Sequence, residues 1–83
     1  MSALSRDGIR TMMAEVLQAQ GKQMPASDEA NLEEIGFRSL DFSELALRVE
    51  DEIGEELNFD APELRQIATV SDVLNFLEQL QAA

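Results

Sequence analysis

The side chains of this chain that could take part in chemistry are hydroxyls and carboxylates, because the sequence contains neither histidine nor cysteine. The chain therefore lacks the usual general base, the usual zinc ligands and the base of a Ser-His or Cys-His nucleophile. It has no glycine loop of the kind that cradles phosphate, and 83 residues with a helical pattern offer little cleft. We therefore predict that this protein is not an enzyme and holds no metal. Any thiol or acyl chemistry would need a reactive group from elsewhere.

Ser39 is the hydroxyl with the most informative surroundings. It follows Gly36, Phe37 and Arg38, and it opens an acidic, amphipathic segment that the periodicity predicts as helical to about Ile53. A serine at the start of a helix is commonly only an N-cap, which stabilises the helix by about 1 kcal/mol. Ser39 taken alone is compatible with a structural role as an N-cap and with a chemical role. The residues around it are needed to distinguish these roles.

The elements around Ser39 predict an all-α fold, a small four-helix bundle with a long first loop and a short third helix, in a single domain over residues 1–83. Ser5 is the expected N-cap of the first helix, and Gly21 is its natural stop. The connection over residues 21–38 is long, and long connections in small domains are usually functional or pinned by side chains. The expected pins are Leu32, Ile35 and Phe37.

Two capping boxes mark the remaining helices. Asp60 and Glu63 fit a capping box for the short third helix, with Pro62 tolerated in its first turn. Thr69 and Asp72 fit a second box at the start of the last helix. No strand pattern and no internal repeat interrupts this arrangement, so we expect a purely helical bundle.

The segment from Ser39 to Ile53 has two apolar faces on a helical wheel. One is an ordinary core stripe within an arc of about 100°. Its members are Phe42, Leu45, Ala46, Val49 and Ile53. Leu40 and Leu47 lie together roughly 140–160° away from the centre of that stripe, with Ser43 beside them. Two leucines on one face, rimmed by acids, indicate a small partner-binding patch unless the short third helix covers them.

The charge of the chain is strongly acidic and unevenly placed. The net charge is −11, and the segment 41–63 holds −8 of it, with nine acids and one base. Such a surface disfavours nucleic acid and anionic membranes and favours partners with basic docking surfaces. No stretch approaches the length of a membrane span, and the first ten residues lack a signal-peptide core. We expect a cytoplasmic, free-standing monomer.

The run IGFRSLD at residues 35–41, followed by Glu44 and Leu45, resembles the modification site of the acyl carrier protein family. Members of that family typically show Leu-Gly-x-Asp-Ser-Leu and then an acidic, amphipathic second helix. Thr69, Val70 and Asp72 at the start of the last helix are also similar to the family. The local motif is moderately specific, and its place within the expected architecture strengthens the resemblance.

The resemblance implies that Ser39 carries 4′-phosphopantetheine, transferred from coenzyme A by a phosphopantetheinyl transferase. It further implies a non-catalytic carrier that holds acyl intermediates as thioesters and presents them to acyl-loading, condensing or transferring enzymes. Fatty-acid, polyketide or related specialised biosynthesis would be its setting. By position, the residues implied to contact these partners are Arg38, Leu40, Asp41, Ser43, Glu44, Leu47 and Asp51.

Arg38 is the main departure from the family pattern, because most members have aspartate immediately before the serine. This reverses a charge at the place that the transferase must recognise, so we predict a dedicated carrier of a specialised pathway. Two alternatives stay open at this point. One is an aminoacyl or peptidyl carrier, and the other is an unmodified acidic helical interaction domain. A calcium-binding pair of helices is disfavoured, since the acids at 50–63 do not follow the spacing of a calcium loop.

Overall fold

The computed structural model describes residues 4–57 and 64–82, and within these ranges it contains four helices. They are α1 (Arg6–Ala19), α2 (Leu32–Ile35), α3 (Ser39–Ile53) and α4 (Val70–Ala82). Strand pairing in the described residues is limited to an isolated antiparallel bridge between Asn31 and Thr69. The predicted all-α class is confirmed. The described part of the chain contains no helix long and apolar enough to cross a membrane.

Helix α1 begins and ends where its sequence predicts. The Ser5 hydroxyl accepts a hydrogen bond from the backbone N–H of Gly8 at 3.1 Å, as an N-cap does. The helix ends at Ala19, and Gly21 follows with a φ of +75°, a left-handed conformation that suits glycine. The two ends of α1 are thus fixed by local chemistry before any packing is considered.

The first connection differs from the expectation, because it contains the short helix α2. The Asn31 side chain caps this helix by accepting from the N–H of Glu33 at 2.9 Å, and Gly36 ends it with a φ of +77°. Leu32, the first residue of α2, and Phe37, just after its end, are buried, and Ile35 packs against the core, so the three expected pins are confirmed. Helix α2 is thus a single turn between the cap Asn31 and the stop Gly36, and Ser39 follows three residues after Gly36.

Two arginines of α1 tie this connection down. The Arg10 guanidinium contacts the Asp28 carboxylate at 3.1 Å and donates to the backbone carbonyls of Pro25 and Ala26. Arg6 reaches the same carboxylate at 3.5 Å and also donates to residues of α4. Arg6 and the Asp28 carboxylate together therefore join the first helix, the connection and the last helix.

Helix α1 packs against both α3 and α4, and the three helices share one apolar core. Within the described part of the chain, ten side chains are completely buried: Ile9, Met13, Val16, Leu17, Leu45, Val49, Val70, Val73, Leu74 and Leu77. The capping box at the start of α4 is confirmed, since Thr69 and Asp72 exchange hydrogen bonds of 3.0 and 3.2 Å. The predicted box of the short third helix, with Asp60, Pro62 and Glu63, lies outside the described residues. Leu64 and Ile67 beyond it pack against the core.

Candidate functional site

Ser39 is the first residue of α3, and its side chain is exposed. Its hydroxyl makes no hydrogen bond with any described residue. The hydroxyls of Ser5, Ser27 and Ser71 differ, because each accepts a hydrogen bond from a backbone or guanidinium N–H. Ser39 is therefore sterically and chemically available at the positive end of a helix, where an attached anion is favoured.

The N-cap of α3 is Arg38, in an extended conformation with φ −112° and ψ −179°. An arginine side chain has no hydrogen-bond acceptor, so it cannot cap the first-turn N–H groups as serine or aspartate does. The other half of a capping box is present, because the Asp41 carboxylate accepts from the Arg38 N–H at 2.8 Å. The main chain before Ser39 is thus held in place while the Arg38 side chain stays exposed.

Asp41 corrects one expectation, because it is a buried structural carboxylate and not an exposed docking acid. Only 4% of its surface is exposed. It accepts hydrogen bonds from Arg38 and Gln20 and lies 3.5 Å from the Lys22 ammonium. Burial acts to raise the pKa of Asp41, but these hydrogen bonds and the positive charge of Lys22 outweigh it, so the pKa is lowered from its ordinary value of 3.8.

Lys22 connects the end of α1 to the turn before Ser39. Its ammonium donates to the carbonyl of Gly36 at 2.6 Å and to the Gln20 side chain at 3.1 Å, in addition to its ion pair with Asp41. The side-chain stem of Lys22 also runs beside Gly36, within 3.2 Å of where a β-carbon would lie. We call the side chains of Gln20, Lys22 and Asp41, together with the backbone carbonyl of Gly36, the latch. It fixes the segment that presents Ser39.

A groove of about 720 Å³ opens beside Ser39. Ser39 and Arg38 lie on its lining together with residues of α2, α3 and the segment that leads to α4. The apolar part of the lining is Leu32, Phe37, Phe42, Leu64, Ile67 and Ala68. A chain extending from the Ser39 hydroxyl would therefore meet a mixed polar and apolar surface next to its attachment point.

The two leucines predicted as a partner-binding patch are exposed. Leu40 is 84% exposed and Leu47 is 61% exposed, and they are the large hydrophobic side chains that the described surface leaves open. Ser43 between them on the same face is exposed too. The alternative, that the short third helix covers these leucines, concerns a helix whose predicted start lies outside the described residues. A pair this exposed on a small domain is a candidate contact surface.

The acids near this patch are not equally free. Arg48 lies 3.8 Å from Glu44 and 3.7 Å from Glu15, and the Glu50 carboxylate accepts from the N–H of Leu57 at 2.7 Å. The acids of α3 and its exit that are exposed and form no ion pair with a described residue are Asp51, Glu52, Glu55 and Glu56. The uncompensated negative charge therefore lies towards the carboxyl end of α3. Among the described residues, no group of three or more potential ligands is placed to hold a metal ion.

The sequence indicated Ser39, Arg38, Leu40 and Leu47 as candidate site residues, but it did not indicate the latch. The signal for the latch was weak, because Gln20 and Lys22 are polar residues at the end of a helix, about twenty positions before Asp41. The three residues come close only when the first connection folds back. The groove was equally invisible, since its lining comes from three separate segments.

Comparisons with known proteins agree with this geometry. An acyl carrier protein of Phaeodactylum tricornutum is 50% identical over 46 residues, which span 55% of this chain and 58% of that protein's length. The chain thus matches somewhat more than half the length of this relative. The crystal structure of an acyl carrier protein from Thermotoga maritima has the same fold, with a TM-score of 0.71 over 99% of this chain and 96% of that one, at 23% identity. A family model described as "Phosphopantetheine attachment site" matches residues 7–77. This chain belongs to the phosphopantetheine attachment site family, as the sequence predicted.

Proposed function

We propose that this protein carries acyl intermediates as thioesters on a 4′-phosphopantetheine arm attached to Ser39 and presents them to partner enzymes. The observation that carries the proposal is the exposed, uncommitted hydroxyl of Ser39 at the first position of α3. The membership of the chain in the phosphopantetheine attachment family supports it. The pathway we propose is fatty-acid, polyketide or a related specialised biosynthesis.

The residues around Ser39 fit such an arm. The helix start offers first-turn N–H groups and a positive dipole end to the phosphate, and Arg38 adds a positive side chain. The groove beside Ser39 accommodates a flexible chain. The arm supplies a thiol, the reactive group that a chain without cysteine or histidine cannot provide. The protein's own part is to position Ser39 and to offer a surface to partners.

We propose that partners dock on the face of α3 that contains Leu40, Ser43 and Leu47. Both leucines are exposed next to Ser39, so burying them against a partner would bring the arm to that partner's active site. The exposed acids of α3 would steer basic partners towards this face. Asp51, four residues after Leu47, is one of these acids. Glu44 remains a candidate contact that must first exchange its ion pair with Arg48. The partners we propose are a phosphopantetheinyl transferase and acyl-loading, condensing or transferring enzymes.

Arg38 supports the narrower proposal of a dedicated carrier. It is an exposed positive charge beside the attachment residue, where most acyl carriers have a negative one. A transferase that recognises aspartate at this position would meet the opposite charge. Arg38 therefore acts mainly by weakening binding of such a general transferase, and less by strengthening binding of a dedicated one. We expect Arg38→Asp to speed modification by a transferase of general fatty-acid synthesis. Equal rates for this variant and the wild type would remove the support for a dedicated carrier.

The test of attachment is intact mass after incubation with coenzyme A, magnesium and a permissive phosphopantetheinyl transferase. We expect the wild type to gain the mass of one phosphopantetheine and Ser39→Ala to gain none. Ser43→Ala is the matched control, because Ser43 is a second exposed serine one turn away on the same helix. It should be modified like the wild type. A gain in Ser39→Ala, or none in the wild type with several transferases, would overturn the assignment.

A further inference from the structure

The guanidinium of Arg38 has no hydrogen-bond or ion-pair partner among the described residues, which sets it apart from most bases of this chain. The chain has six lysines and arginines. Four of them form ion pairs with carboxylates: Arg6, Arg10, Lys22 and Arg48. Arg38 forms no ion pair with a described residue, and its side chain makes no hydrogen bond as the helix cap. A chain with seventeen acids thus keeps a positive side chain open at the residue before Ser39.

The position of Arg38 is fixed although its side chain is free. The Asp41 carboxylate holds its backbone N–H at 2.8 Å, and its carbonyl accepts the N–H of Phe42 at 2.9 Å. Arg38 and Ser39 both lie on the lining of the groove of about 720 Å³. Consecutive Cα atoms are only about 3.8 Å apart, so the flexible arginine stem easily reaches a group bonded to the neighbouring hydroxyl. Arg38 and Ser39 therefore border the same groove at the start of α3.

We infer that the Arg38 side chain binds the phosphate of the arm on Ser39 and holds it against the start of α3. This inference rests on the proposed attachment at Ser39. A guanidinium matches phosphate oxygens with two parallel N–H donors, and such charge-assisted pairs are among the stronger hydrogen bonds. The cap itself contributes no acceptor, so the phosphate oxygens are also the acceptors that the first-turn N–H groups of α3 lack.

The negative charge around Ser39 favours a contact between Arg38 and the phosphate. A phosphodiester adds one negative charge beside a helix that is already strongly acidic. Arg38 offsets that charge, whereas an aspartate at the same position would add to the repulsion. Since the side chain lies on the groove, binding the phosphate there also directs the rest of the arm along the groove and away from open solvent. Arg38 is thus a positioning residue for the arm, in addition to any role in transferase choice.

The test is phosphorus NMR of the arm-bearing protein, made with a permissive transferase and verified by intact mass. The variants are Arg38→Gln, Arg38→Lys and Arg65→Gln. Arg65 is the matched control, because it is exposed, forms no ion pair with a described residue and does not line the groove. Arg65→Gln therefore changes the net charge as Arg38→Gln does, at another place.

We expect the phosphate resonance to shift and sharpen in Arg38→Gln, to lie in between in Arg38→Lys and to stay as in the wild type in Arg65→Gln. Raising salt from about 0.01 to about 1 M, which shortens the Debye length from about 30 to about 3 Å, should move the wild-type resonance towards that of Arg38→Gln. Identical resonances in the wild type and Arg38→Gln, or an equal change in Arg65→Gln, would overturn the inference alone. A wild type that gains no arm mass on Ser39 would overturn the proposed function and this inference with it.

Discussion

Replacing Asp41 with asparagine tests whether the latch stabilises the protein. The substitution keeps the shape of the side chain but removes its charge. An asparagine oxygen can still accept from the Arg38 N–H, at 2.8 Å in the wild type. Its NH₂ group, however, donates, so it cannot replace the Oδ1 atom that accepts from Gln20. The loss of charge also removes the ion pair between Oδ2 and the Lys22 ammonium. The variant therefore breaks the latch on one side without creating a cavity.

The magnitude follows from the contacts that are lost. Hydrogen bonds to a charged group contribute about 1.5–3 kcal/mol each, but Lys22 and Gln20 can recover part of this from water because Lys22 is half-buried and Gln20 is exposed. We expect a net loss of about 2 kcal/mol in the free energy of unfolding. For a domain of this size such a loss lowers Tm by about 8–16 °C. The domain has little stability to spare, so the effect is easily measured.

The pH dependence gives a second and sharper signature. Because the pKa of Asp41 is lowered in the folded protein, the folded state prefers the ionised carboxylate more than the unfolded state does. Its contribution to stability is therefore fully present above the ordinary value of 3.8 and is lost as the pH falls below that value through the lowered folded pKa. We expect the stability difference between wild type and Asp41→Asn to shrink in that acid range.

The assay is urea unfolding of both proteins across pH, followed by circular dichroism. Asp51→Asn is the control, because Asp51 is an exposed acid on the same helix and makes no ion pair with a described residue. It should change stability by no more than about 0.5 kcal/mol. The reasoning would be refuted if both variants lost the same stability. It would also be refuted if the loss in Asp41→Asn stayed constant from about pH 7 to about pH 3.

Two further predictions concern the turn before Ser39 and the exposed leucines. Gly36→Ala should destabilise by about 2 kcal/mol and Gly21→Ala by about 1 kcal/mol, because both have left-handed φ but only Gly36 has Lys22 within 3.2 Å of the added carbon. Urea unfolding measures both losses, and equal losses would contradict the role of the latch. Leu40→Ala and Leu47→Ala should each weaken binding of a partner enzyme by about 5–30-fold, the loss expected when a buried leucine contact of 1–2 kcal/mol is removed. Titration calorimetry with a cognate transferase measures this.

The binding measurement needs a control on the same face of α3. Ser43→Ala removes only a small polar group between the two leucines, so we expect it to change the affinity by less than about threefold. The leucine variants should unfold at the temperature of the wild type, since neither side chain belongs to the core. Unchanged affinity in the double variant Leu40→Ala, Leu47→Ala would contradict the proposed docking face.

The fold was predictable wherever its causes are local. Ser5, Gly21 and the box of Thr69 and Asp72 act over three or four residues, so their effect can be read directly from the sequence. Helix α2 was missed although its signals are present, an Asn cap at Asn31 and a glycine stop five positions later. A single turn is too short to show hydrophobic periodicity, and its stability comes from packing of Leu32 and Phe37.

The exposure of the candidate site residues was predictable where it depends on helix geometry and not where it depends on chain folding. A wheel suffices to separate Leu40 and Leu47 from the core stripe, and the structure leaves both exposed. The same wheel could not show that Asp41 turns inward, because its partners Gln20 and Lys22 come from the other end of the connection. From the sequence, an acid such as Asp41 in the first turn of a helix could either contact a partner or hold the fold together. The tertiary contacts with Gln20 and Lys22 distinguish these two roles.

The division of charge in this molecule explains why a single arginine can matter so much. Three other bases form ion pairs that hold the fold together. Arg6 and Arg10 anchor the first connection, and Lys22 anchors the turn before Ser39. These internal pairs leave the outer surface more uniformly negative than the composition alone suggests. Against such a background, Arg38 is a local reversal of charge beside the exposed hydroxyl of Ser39. A partner that approaches Ser39 must therefore accept positive charge at that point and negative charge along the rest of α3, a combination that few basic surfaces would satisfy.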